Sequence, residues 1–129
     1  MPQLQDLVLG LQHIGIPTDD IQATIEFYQS LGFSVMHTNE HNHHKVAFLS
    51  LGNVVIETYE NDQVAAKCGA IDHIALNVSD IKATHTVVRA LGYQELEDGI
   101  QTLPFFSNGV SYFTIKGPNA EKVEFSQYL

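Results

Sequence analysis

Four side chains stand at matching places in two copies of one sequence unit: His13 and Glu57 in the first, His73 and Glu124 in the second. Imidazole and carboxylate together suit six-coordinate first-row divalent ions with positions left open for water or substrate. Carboxylates also move protons between carbon atoms. Glu57 raises the sharpest question, because "NVVIETYEN" (53–61) reads as a buried strand with a carboxylate in its middle. An unpaired ionised carboxylate in an apolar setting costs far more than one strand gains, so Glu57 is paired, protonated or bound to a cation.

The copies show as a repeat at a spacing of 60 residues. "LQHIGIPTDDIQATIEFYQSLGF" (11–33) lies over "IDHIALNVSDIKATHTVVRALGY" (71–93) without a gap, with eight identities in 23 positions. Such self-similarity marks one supersecondary unit used twice. Each copy opens with a short strand, "QHIGIP" or "DHIALNV". A helix follows, with Asp20 or Asp80 as N-cap and Gly32 or Gly92 just past its end. Ile21, Ile25, Tyr28 and Leu31 recur at helical spacing and give the first helix one apolar face. Three strands come next in copy one, "FSVMHT", "KVAFLSL" and "NVVIETY"; copy two repeats the plan around "YQELE", "TLPFFS", "VSYFTI" and "KVEFSQ". The predicted organisation is βαβββ twice within one domain, 1–129. Module one covers about 8–60, a linker about 61–69 with room for a short helix, and module two about 70–129.

Alternation along the strands then decides which way the chemistry faces. Ile14 and Ile16 take one face of the first strand, and His13, Gly15 and Pro17 the other. In copy two, Ile74, Leu76 and Val78 oppose His73, Ala75 and Asn77. The apolar sets suit packing under the helices, which sends both histidines to the concave side. Glu57 and Glu124 are likewise flanked by apolar or small neighbours of the opposite face, Ile56 with Thr58 and Val123 with Phe125. Each copy therefore offers one His and one Glu, a symmetric ligand set for one divalent metal. Gly15 and Ala75 leave room beside the histidines.

Composition bounds the partners. Six Lys and Arg stand against fifteen Asp and Glu, a net charge of −9, which repels nucleic acid and anionic membranes. Arg89 is the sole arginine, so a strongly anionic substrate would find few cationic contacts. The single cysteine, Cys68, rules out a disulfide within the chain. With no secretory signal pattern and no long apolar run, the expectation is a soluble cytoplasmic protein.

The motifs "HIGIPTDDIQATIEFYQSLGF", the Glu of "VVIET", "DHIALNV" and the terminal "KVEF" resemble the vicinal oxygen chelate superfamily, which includes glyoxalase I, epimerases, extradiol dioxygenases and antibiotic-resistance proteins. The resemblance implies an α+β fold in which two tandem βαβββ modules form a cupped, barrel-like mixed sheet with helices outside. It implies that His13, Glu57, His73 and Glu124 ligate one divalent metal. The ligand set looks most like short, bacterial-type glyoxalase I, for which nickel or cobalt is favoured, with zinc, manganese and iron as alternatives. The reaction implied is isomerisation of a 2-oxoaldehyde–thiol hemithioacetal to a 2-hydroxyacyl thioester through a metal-stabilised enediolate. Glu124 is the preferred base and Glu57 the second choice. Asn61 matches a glutathione-contacting Asn of such enzymes, whereas Pro17 stands where their Arg is expected, and "GPNAEKVEF" departs from the usual "DPDG" turn. Phe48, Phe105 and Tyr112 are either core or substrate-binding wall. The resemblance also points to a homodimer, and leaves open whether the cup closes within a chain or between chains.

Rival readings are a CoA-ester epimerase, a drug- or metabolite-binding resistance protein without turnover, and a thiol transferase acting on an antibiotic. The "HTNEHNHHK" stretch, with His37, His41, His43 and His44, reads as a solvated hairpin, with a loop over the cup as its functional alternative. His85 replaces Ile25 on the second helix and is expected to be partly exposed, and Cys68 has no neighbouring base in sequence.

Overall fold

Asp20 and Asp80 start the two principal helices by accepting the N–H of Ala23 and of Ala83 on Oδ1, each at 3.0 Å. Each cap satisfies a donor that the first helical turn leaves free. The computed structural model describes residues 3–69 and 71–129, with the side chains of Leu4 and His41 outside that description. A short helix α1 (Leu4–Leu7) precedes module one, which runs β1 (Ile14–Thr18), α2 (Ile21–Ser30), β2 (Ser34–His41), β3 (His44–Leu51) and β4 (Val54–Glu60). Module two runs β5 (His73–Asn77), α3 (Ile81–Arg89), β6 (Gln101–Leu103), β7 (Val110–Lys116) and β8 (Lys122–Tyr128).

The modules form two four-stranded mixed sheets of matching order, β1-β4-β3-β2 and β5-β8-β7-β6. The first strand of each lies parallel to the last, and the other pairings are antiparallel. The architecture is the expected α+β one, cupped and not closed into a barrel. The face bearing Leu49, Ile56, Phe113, Ile115, Val123 and Phe125 is buried, and Phe27, Tyr28, Ile81 and Val88 of the helices join it in one cluster spanning both modules. Sharing one core across the modules fixes how they sit together.

Three local expectations change. "YQELE" forms only a single bridge, Glu95 to Ile115. The Glu97 carboxylate takes the N–H of Thr114 at 2.6 Å, where a regular neighbouring strand would supply a carbonyl. β6 stops at Leu103, since Pro104 has no N–H to give the ladder. No helix forms in 61–69, where Ala66 has φ +51°, outside right-handed helical space. The β2–β3 turn has Asn42 and His43 both at positive φ, as a tight hairpin requires. Among the described residues no helix is long and apolar enough to cross a membrane.

Candidate metal centre

Register carries both carboxylates to the concave faces. Gly15 pairs with Glu57 across β1–β4, and Ala75 pairs with Glu124 across β5–β8, so the two modules present the same geometry. His13 Nε2 lies 3.5 Å from Glu57 Oε1, and His73 Nε2 lies 3.9 Å from Glu124 Oε1. Two adjacent ligands of one first-row ion, each bonded at about 2 Å, stand roughly 3 Å apart, so small closures bring either pair to ligating distance. Glu57 is half-buried: its strand is sealed on the Ile56 and Thr58 side and open on the other.

The opposite ring nitrogens explain which atoms are free to ligate. His13 Nδ1 is hydrogen-bonded to Gln12 Oε1 at 2.9 Å, and His73 Nδ1 to Asp72 Oδ2 at 3.0 Å. Carboxylate and amide oxygens accept, so Nδ1 is the donor to Asp72 in His73 and to Gln12 in His13, and Nε2 is the nitrogen left to ligate an ion. Such outer partners hold a ligating imidazole in tautomer and orientation. Sequence reading missed Gln12 and Asp72, although their signal is simple: each immediately precedes a repeated His. Burial pushes the Glu124 carboxyl above the usual carboxylate range; His73 opposes this and Glu97 adds to it.

Each half therefore offers two donors of the kind a divalent ion takes, half of the expected four-ligand set. Within one chain, however, the halves stay apart, and no three His, Cys, Asp or Glu side chains among the described residues come together as a metal group.

Each half borders its own cavity. In module one, about 400 Å³ is lined by Gly15, Glu57 and Tyr59 together with Asn42, His44 and Val46 from the hairpin. The expected surface hairpin thus also borders the cup, and His37 joins the same face in register with Phe48. Phe48 meets the His13 ring edge-on, with centroids 5.6 Å apart. In module two, about 430 Å³ is bordered by His73, Glu124, Tyr112 and Phe105, and also by Phe106 and Tyr128, which sequence reading did not single out.

The remaining candidates have local roles. Asn61 Oδ1 accepts the Gln63 N–H at 3.0 Å, folding back on its own turn. Pro17 and Cys68 line a smaller cavity of about 190 Å³ where β1, the linker and β5 meet. The Cys68 thiol points to the Ala120 carbonyl, 3.7 Å away. His85 is hydrogen-bonded to Glu95 and stands edge-on to Phe113, which ties α3 to the sheet.

Residues 12–108 match the family model of the glyoxalase/bleomycin resistance protein/dioxygenase superfamily. The chain is 32% identical over 126 residues to the uncharacterised protein YwbC of Bacillus subtilis (strain 168), covering 91% of this chain and 96% of that one. It is 38% identical over 89 residues to a probable lactoylglutathione lyase of Vibrio cholerae, covering 62% of this chain and 64% of that protein. Its fold is like that of FosX, a fosfomycin resistance protein from Listeria monocytogenes solved with Mn(II) and sulfate. There the TM-score is 0.72 at 16% identity, covering 95% of this chain and 94% of that chain. The chain belongs to the glyoxalase/bleomycin resistance protein/dioxygenase superfamily.

Proposed function

We propose that the protein is a metal-dependent lyase of glyoxalase I type, isomerising a 2-oxoaldehyde–thiol hemithioacetal to a 2-hydroxyacyl thioester. The observation that carries this reading is the matched pair of half-sites. Each has a His Nε2 facing a Glu carboxylate, with Nδ1 already tied to the residue before it. The partial likeness to the Vibrio cholerae protein and the Mn(II) in FosX support the activity and the divalent ion respectively.

His13, Glu57, His73 and Glu124 would hold the ion. When bound, it supplies Lewis acidity beside the substrate oxygens. Glu124 takes the proton from the carbon bearing sulfur and returns it to the neighbouring carbon. The carbon bearing sulfur rises from the aldehyde to the acyl level while its neighbour falls from ketone to alcohol, and the hydroxyl proton passes from one oxygen to the other, so no atom is gained or lost. Its partly buried carboxylate favours accepting a proton more than a solvated one does.

The two halves come from different copies of the chain in this reading. The core shared by the modules keeps the half-sites of one chain apart, while module one of one copy and module two of another supply a full set. Support for a closed two-fold assembly comes from apolar side chains left open outside the two half-site cavities, including Leu9, Leu11 and Ile71.

The test is metal content of purified protein, together with thioester formation from methylglyoxal and thiol on nickel-, cobalt- and zinc-loaded samples. About one ion per His₂Glu₂ set with thioester appearing is the expected result. Absence of bound metal would overturn the reading, and metal without turnover would remove the assigned reaction.

A further inference from the structure

We infer that the cup selects an uncharged substrate carrying an aromatic group, which seats against module two; this deepens the metal-centre reading and rests on it. The cavity beside His73 and Glu124 is walled by Leu103, Phe105, Phe106, Val110, Tyr112 and Tyr128. Phe105 and Phe106 retain 54% and 67% of their surface, and Tyr128 retains 61%, so three aromatic side chains face solvent around one polar pair. Exposed apolar surface gathered at a concavity is costly in water and gains most by covering an apolar group. Phe106 and Tyr128 already stand edge to face, with centroids 4.8 Å apart, a geometry that a further ring can extend.

Charge narrows the choice further. Asn77 and Ser126 add neutral polar groups to this cavity beside the tyrosine hydroxyls. Among the described residues no Lys or Arg lines it or the module-one cavity, which holds Glu60 beside Glu57. Lys122, in register with His73, has its charge answered by Asp72 at 2.9 Å. With two carboxylates matching a divalent ion and Glu60 in excess, an anionic group gains no net attraction here. Glutathione and phosphorylated carriers are disfavoured for the same reason.

The test uses three 2-hydroxyketones that share one oxygen pair and differ in the third substituent: 2-hydroxyacetophenone (phenyl), hydroxyacetone (methyl) and hydroxypyruvate (carboxylate). Affinity is measured by calorimetry on metal-loaded and metal-stripped protein. The phenyl ketone should bind about tenfold more tightly than the methyl ketone, and hydroxypyruvate most weakly. A double variant, Phe105→Ala with Tyr128→Ala, should lose most of the phenyl advantage, read as the ratio of phenyl-ketone to methyl-ketone affinity.

Tighter hydroxypyruvate binding, or a phenyl advantage that survives the double variant, would overturn the inference. So would a double variant that dissociates the dimer without changing the ranking, since the aromatic wall would then serve only the contact between copies. Protein that takes up no metal but still ranks the phenyl ketone first keeps this inference and loses the metal reading. Metal-loaded protein that ranks the carboxylate first does the reverse.

Discussion

Tyr28 of module one donates its hydroxyl to Glu121 of module two at 3.1 Å, across 93 residues of chain. The same carboxylate accepts the Asn119 N–H at 2.7 Å, and the Asn119 amide donates to Thr24 on α2 at 2.9 Å. This partly buried cluster clamps α2 onto the β7–β8 turn. It accounts for "GPNAE" in place of an acidic turn, because Asn119 and Glu121 are both needed to reach the other module. With α2 held to module two in this way, the two concave faces stay available to another copy.

Removing the Tyr28 hydroxyl should cost about 2 kcal/mol, the scale of a buried hydrogen bond to a charged acceptor. The effect has a pH signature. Burial, then the charge and hydrogen bond of Glu121, raise the Tyr28 pKa far above its ordinary 10.0. A folded pKa above the unfolded one means that the folded state holds its proton longer, so stability is full below pH 10 and falls above it. Urea unfolding at pH 8 and pH 10.5 should therefore show a larger loss for the native protein than for Tyr28→Phe. Parallel losses would mean that the pair is not coupled in solution.

Mixing variants tests whether the site is shared. His13→Ala and His73→Ala should each be inactive alone, since every composite site then lacks a ligand. In a mixed dimer, one site loses both histidines and the other keeps all four ligands. Half the dimers being mixed, with one good site in two, activity should return to about a quarter of native. No recovery after subunit exchange would place both halves of each site within one chain.

The partners of the Nδ1 atoms give a third prediction. Gln12→Ala and Asp72→Ala should weaken metal binding by about 10- to 100-fold with the ligands untouched. Asp72→Asn, which still offers an oxygen, should recover much of the loss. Competition with a chromogenic chelator reads this directly, and equal affinities throughout would show that the histidines need no such support.

Much of this was legible in the residues. The spacing of 60, the paired Asp caps and the strand alternation lead to two matching sheets and place His13, Glu57, His73 and Glu124 on concave faces. Other features depend on contacts that no local pattern encodes. The Tyr28–Glu121 clamp joins distant residues of unremarkable type, and the loss of regular strand structure at Glu95–Glu97 follows from side chains taking over ladder positions. Asn61 matched a ligand-contacting residue by spacing alone, while its side chain is held in its own turn. Phe106 and Tyr128 escaped because an aromatic residue in a turn or at the end of a strand gives no signal of facing a cavity.

The two carboxylates have different surroundings, and these favour Glu124 as the base. Glu124 has its side chain 20% exposed against 27% for Glu57, and burial raises its proton affinity. Glu57 stands across the strand from Phe48 and beside the open hairpin cavity, better placed to serve as a ligand alone. Glu124→Gln preserves shape and one ligating oxygen but cannot carry a proton, so it should retain metal and lose more than about a hundredfold in turnover. Glu57→Gln should fall less in turnover at saturating metal and more in metal affinity. Reversed effects would exchange the two roles. Unchanged turnover in Glu124→Gln with metal bound would eliminate Glu124 as the base and leave proton transfer to Glu57 or to water.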